Sequence, residues 1–147
     1  MKKIFTNTRG MTLIEIMVVI AIIGLIASIV TVSVINSLDE AKVDTARTQI
    51  KALEGALDQF RRDAGFYPAT EQGLNALVSK PAGGRTPNRY PPKGYMKNVP
   101  KDPWGCEYTY YSPGIQGHDV EIYSLGADCQ EGGSDYDADI SNFDSER

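Results

Sequence analysis

The sequence predicts an α+β chain built on one long N-terminal helix and a small antiparallel β-sheet. Three observations predict it. An apolar run from Met11 to Ile35 passes into an amphipathic stretch, with no proline between Met11 and Phe66. Two short segments rich in aromatic and β-branched residues follow, near residues 107–112 and 120–124. The last thirty or so residues are dense in acids and glycine. A chain of 147 residues is enough for one domain. Once the apolar segment is set aside, the remaining core is modest, and a metal, a disulfide or a partner would reinforce it.

The helix begins behind a basic leader. Lys2, Lys3 and Arg9 are the only charges among residues 1–10, whereas residues 119–147 carry nine acids and one base. An acidic C-terminus without a basic stripe argues against nucleic acid as a partner. The leader does not read as a secretory signal peptide, because Ala27-Ser28-Ile29 leads into more apolar sequence. An Arg pair for twin-arginine export is missing. A plain membrane anchor fits the length, since 25 residues of helix reach about 37 Å. It fits the charges too, with the leader in the cytoplasm and the rest outside.

A plain anchor leaves Glu15 unexplained. A carboxylate within a spanning helix costs roughly 2.5–3.5 kcal/mol on insertion scales, so it requires a partner. A cut after Gly10 would supply one, the new α-amine of Met11. It would also leave Glu15 near a helix N-terminus, where the dipole favours its charge. The stretch Arg9-Gly10-Met11-Thr12-Leu13-Ile14-Glu15, with its apolar continuation, resembles the processing motif of the type IV pilin and pseudopilin superfamily. That resemblance implies cleavage between Gly10 and Met11 by a prepilin peptidase, N-methylation of Met11, and an assembly role for Glu15 against a neighbouring subunit's N-terminus. Met11 stands where the family usually has Phe. Both are apolar, and Met is adaptable in packing.

Beyond Ile35 the helix turns amphipathic. Val43, Ala46, Ile50, Leu53, Leu57 and Phe60 recur at spacings of three and four, one stripe for a core. Arg61 and Arg62 suit a last turn, and Gly65 suits the position just after it. One helix is therefore expected over about 12–64. Residues 11–36 form its membrane and assembly part, and 37–147 form a periplasmic domain. Gly24, Ser28, Ser33 and Asn36 interrupt the apolar run, which permits either close helix packing or local unwinding.

After the helix, Pro68 biases Tyr67 toward an extended conformation. Thr70 is expected to cap a short helix through Val78, with Gly73 as its weak point. A loop rich in Pro and Gly occupies residues 80–101. Asp102-Pro103-Trp104-Gly105 reads as a turn, with Trp104 expected on the core. The two strands then form a hairpin around residues 113–119. His118 is expected at the surface.

These later stretches narrow the resemblance. Tyr67-Pro68-Ala69-Thr70-Glu71-Gln72-Gly73-Leu74-Asn75-Ala76-Leu77-Val78 is similar to the segment after the long helix in major pseudopilins of type II secretion systems. Gly94-Tyr95, Asp102-Pro103-Trp104-Gly105, Tyr123-Ser124-Leu125-Gly126-Ala127-Asp128 and Ala138-Asp139-Ile140 are similar as well. The implied fold is pilin-like. The implied function is a structural subunit, not an enzyme, that polymerises into a periplasmic pseudopilus and aids export of folded proteins. Implied partners are further copies of itself, minor pseudopilins, a secretion ATPase, an inner-membrane assembly platform, an outer-membrane secretin and inner-membrane lipid. The major pilin of a type IV pilus, for adhesion or motility, is the alternative reading. A membrane-anchored enzyme is a third, with His118 the one residue available to a His-based triad.

Asp128, Glu131, Asp135, Asp137 and Asp139 crowd the C-terminal loop. Composition alone favours a solvated acidic loop, and an EF-hand fits poorly because Gln130 and Gly132 fall at ligand positions. The resemblance instead implies a calcium-ordered loop. Its expected ligands are the side chains of Asp128, Asp137 and Asp139 with main-chain oxygens of Leu125 and Ser134. Asp135 is the alternative to Asp137. Calcium takes such carboxylate and carbonyl oxygens. Cys106 and Cys129 would both lie outside the cytoplasm, where a disulfide between them is favoured over two free thiols.

Overall fold

The computed structural model describes residues 10–144, the side chains of residues 28–36 excepted. The chain divides into two compact units, one ending at Leu38 and one beginning at Asp39. Helix α1, Leu13–Ala64, contributes to both. Arg61 and Arg62 lie in its last turn, and Gly65, at φ 80°, closes it by donating its N–H to Arg61 O at 2.7 Å. Glycine takes that left-handed conformation without a steric penalty.

In the first unit the described apolar side chains of α1, as far as Ile26, face outward. Leu13 is 82% exposed, and Met17, Ile20, Ile23 and Leu25 are all exposed. Among the described residues no helix is long and apolar enough to cross a membrane. The side chains of residues 28–36, which complete the apolar run expected to span, lie outside the described residues.

In the second unit the amphipathic stripe becomes the core. Ala46, Ile50, Leu53, Leu57 and Phe60 are fully buried, and Val43 packs against them. They meet Leu74, Ala76, Leu77, Tyr108, Tyr110, Val120, Ile122 and Ile140. Burying five such helix positions supplies the main apolar stabilisation of the unit. The sheet is antiparallel, ordered β1 (Thr109–Tyr111), β2 (Glu121–Ser124), β3 (Ile140–Ser141). Thr109 pairs with Tyr123, and Ser124 with Ile140. The strands are shorter than the sequence suggests, and β3 had no expected counterpart.

The short helix expected at 70–78 is instead a turn followed by a single 3-10 turn, Leu74–Leu77. Gly73 sits at φ 59°, which breaks any regular helix there. Thr70 caps nothing: its hydroxyl donates to Ser112 O and accepts from Ser112 N–H, at 3.1 and 2.9 Å. The long loop has no regular structure but is fastened at several points. Gln72 Nε2 donates to the carbonyls of Gly83 and Arg85, Pro87 is buried, and Tyr90 Oη donates to Ala76 O. The N–H groups of Tyr95 and Met96 both donate to Leu77 O. Gly94 lies so close to that turn that a Cβ would come within 2.5 Å of Val78 O. Phe60, Tyr90 and Tyr95 form an aromatic cluster over the end of α1.

Candidate functional site

At the head of α1, Gly10 and Met11 precede the helix and are exposed. A Cβ at Gly10 would meet nothing within 4 Å. The peptide bond expected to be cut is therefore open to a protease. Thr12 and Glu15 engage each other reciprocally. Thr12 N–H and Oγ1–H donate to Glu15 Oε2 at 2.8 and 2.9 Å, and Glu15 N–H donates to Thr12 Oγ1 at 3.3 Å. This is a capping box, in which two N-terminal amides find side-chain acceptors. Thr12-x-x-Glu15 before an apolar run is its sequence signature, and the expectation for Glu15 had overlooked it. The carboxylate thus serves the helix start and stands about one turn from the peptide bond expected to be cut.

The acidic loop lies between β2 and β3. Leu125 and Asp139 line one cleft of about 210 Å³, together with Thr109, Tyr111, Tyr123 and Glu131. Asp139 Oδ2 accepts the N–H of Gly132 at 3.0 Å, while Oδ1 is buried with no hydrogen-bond partner. Asp128 is exposed, and its Oδ1 accepts the N–H of Gln130 at 3.0 Å. Ser134 O accepts the N–H of Asp137 at 3.1 Å. The Asp137 main chain is wrapped closely: a Cβ at Gly126 would stand 2.7 Å from Asp137 O, and one at Gly133 would collide with the same carbonyl. Both glycines have positive φ. Asp135, at φ 55°, lines a different groove, with Glu40, Asp44 and Arg47 of α1. Among the described residues, no three His, Cys, Asp or Glu side chains gather as a metal group. Any cation here would therefore need main-chain oxygens as well as carboxylates.

Cys106 and Cys129 are joined by a disulfide, with Cα atoms 6.0 Å apart, an ordinary span for a bridge. Cys106 belongs to a turn centred on Asp102. The buried Asp102 carboxylate accepts the N–H groups of Trp104 and Cys106 through Oδ1, and the hydroxyl of Ser124 through Oδ2. Trp104 packs on the core, as expected. The Asp-Pro-x-Gly spelling marks the turn, but nothing in it foretells the bond to β2.

Glu121 is a second buried carboxylate outside the expected sites. It accepts the N–H of Gln116 at 2.5 Å and the hydroxyl of Tyr123 at 2.9 Å. Burial raises its pKa, but these donors and the N–H of Ile115 outweigh that, leaving the carboxyl below its usual range. It closes the hairpin loop at 113–119. His118 is exposed and stacks on Phe143 at 4.7 Å.

Residues 33–143 match the family model described as type II secretion system (T2SS), protein G. The chain belongs to that family. Residues 5–31 match the prokaryotic N-terminal methylation motif. The type II secretion system core protein G of Pseudomonas aeruginosa is 51% identical over 136 residues, covering 92% of this chain and 95% of that one. That of Vibrio cholerae is 47% identical over 143 residues, covering 97% and 96%. The crystal structure of the major pseudopilin from the type 2 secretion system of enterohaemorrhagic Escherichia coli is similar at TM-score 0.66 and 38% identity, covering 75% of this chain and 93% of that one. Protein G is a family of structural pseudopilin subunits, and the pilin-like fold is shared with that crystal structure. These likenesses favour the pseudopilin reading over the type IV pilus alternative.

Proposed function

We propose that this chain is the filament-forming subunit of a type II secretion pseudopilus, cut after Gly10 and methylated at Met11. The observation that carries the reading is Glu15, held at the head of an exposed apolar helix in a chain of the protein G family. Its charge pairs with the α-amine of a neighbouring subunit, and the apolar helices bury one another as the filament grows. Before assembly the helix is stored in the inner membrane, with the C-terminal domain in the periplasm. Minor pseudopilins, the prepilin peptidase, the assembly platform and the secretin are its expected partners.

The acidic loop is proposed to take calcium. The buried, unpartnered Oδ1 of Asp139 and the close wrapping of the Asp137 main chain support the fit. Side chains of Asp128, Asp137 and Asp139 and the carbonyls of Leu125 and Ser134 would hold the ion. Asp135 is disfavoured because it lines another groove. When bound, the ion neutralises the crowded carboxylates and so orders the loop.

Deletion in the native host tests the filament reading. Loss of exported folded proteins from the medium, restored by the wild-type chain and not by Glu15→Ala, is the expected result. Intact export with loss of surface pili would overturn it.

A further inference from the structure

The two halves of the acidic loop are held differently. Residues 130–139 are held by hydrogen bonds alone: Gly132 N–H to Asp139 and Asp137 N–H to Ser134 O within that half, and Ala127 N–H to Tyr136 O across to the first half. Residues 125–129 are pinned at both ends. At one end Ser124, fully buried in β2, donates to Asp102. At the other, Cys129 is bonded to Cys106, whose N–H donates to the same Asp102 carboxylate at 2.7 Å. Asp102, Cys106, Cys129 and Ser124 therefore close one small circuit, partly covalent, around the start of the loop. Cys129 lies at φ 58°, a left-handed conformation that side-chain-bearing residues rarely adopt.

We propose that the Cys106–Cys129 disulfide is a metal-independent clasp, which holds the first half of the acidic loop in its closed conformation before any cation arrives. The proposal rests on the calcium reading only for what the loop is closed to receive. The clasp itself stands on the disulfide, the Asp102 turn and the backbone of Cys129. The bond closes a span of 23 residues that runs through β1 and β2, so it ties the start of the acidic loop to the Asp102 turn across the sheet.

Hydrogen exchange on the full-length mature chain in detergent micelles tests this, read on peptides covering 125–139. Wild type and Cys106→Ser/Cys129→Gly are compared in EGTA and in calcium. Glycine is chosen because it accepts the positive φ. In EGTA residues 125–129 should exchange more slowly in wild type than in the variant, by up to about a few-hundredfold, the ceiling that a closure of 23 residues sets. Peptides from Ile50 to Phe60 report whether the variant still folds. Should it not fold, wild type reduced with dithiothreitol replaces it in the same comparison. Equal exchange in EGTA for bonded and unbonded chains would overturn the clasp. If calcium slows exchange in neither chain, the calcium reading fails, while the comparison in EGTA still decides the clasp.

Discussion

The hydroxyl of Ser124 donates to Asp102 Oδ2 at 2.7 Å, with both side chains buried. This bond joins the central strand to the Trp104 turn. Asp102→Ala would strand the Ser124 hydroxyl and the amides of Trp104 and Cys106 together. We expect a loss of about 2–4 kcal/mol, since each orphaned buried donor costs about 1–3. Asp102→Asn keeps an acceptor for the amides and should lose less. Denaturant titrations followed by fluorescence of Trp104, the sole Trp, would measure both. Equal stability of Asp102→Ala and wild type would remove Asp102 from its central place.

Glu121 gives the second unit a dependence on acid. Its carboxyl is held below its ordinary value in the folded chain. The stabilisation is thus fully present above the unfolded value of about 4.3, and is lost as pH falls through the lower folded value. Glu121→Gln should flatten that acid limb and cost about 1–3 kcal/mol at neutral pH, where a charged acceptor is lost. Urea midpoints between pH 3 and pH 7, taken for both chains, provide the check.

Capping and assembly by Glu15 are separable. Gln also serves at the third position of a capping box, so Glu15→Gln should keep the helix start but lose the charge that pairs with a neighbour's amine. We expect normal membrane insertion and no filaments by electron microscopy. Thr12→Ala should fray the helix by about 1 kcal/mol and still polymerise. Filaments of normal yield from Glu15→Gln would show that hydrogen bonding, not charge, is what assembly uses.

Calcium at a hundred times its dissociation constant should stabilise the folded chain by about 2.7 kcal/mol. EGTA should therefore lower the melting temperature, and Asp139→Ala should abolish the difference between the two conditions. Differential scanning calorimetry of the full chain in detergent decides it. A melting temperature indifferent to calcium would leave a merely solvated loop.

Gly10→Ala disturbs no packing, because the added methyl meets open space. It should fold like wild type yet stay at precursor mass, while wild type is shortened to an N-methylated Met11. Intact-mass spectrometry distinguishes the two.

The long helix was legible because its stripe from Val43 to Phe60 repeats at helical spacing and every member packs into the core. The Trp104 turn was legible from its proline and glycine. β3 was not: two residues carry too little periodicity to register, and Ile140 is placed by pairing with Ser124, far away in sequence. Thr70 misled for a related reason. Its spelling suits a cap, but a contact 42 residues off claims the hydroxyl. Glu121 carried no sequence signal of its own and is buried, because the preceding hairpin loop folds its amides onto it. Local pattern reveals elements, whereas side-chain bonds between distant segments decide these exceptions.

The loop after the 3-10 turn is fastened by Gln72, which reaches it from before the turn, and at Pro87, Tyr90 and Gly94, with no strand or helix over residues 79–94. Heritable change should respect that division. Substitutions at Ala82, Thr86, Asn88, Arg89 and Lys93, all exposed, touch none of the fastenings. A replacement at Gly94 collides with the carbonyls of Leu77 and Val78. The segment can thus diversify at its surface, generation after generation, while the same four posts keep it in place.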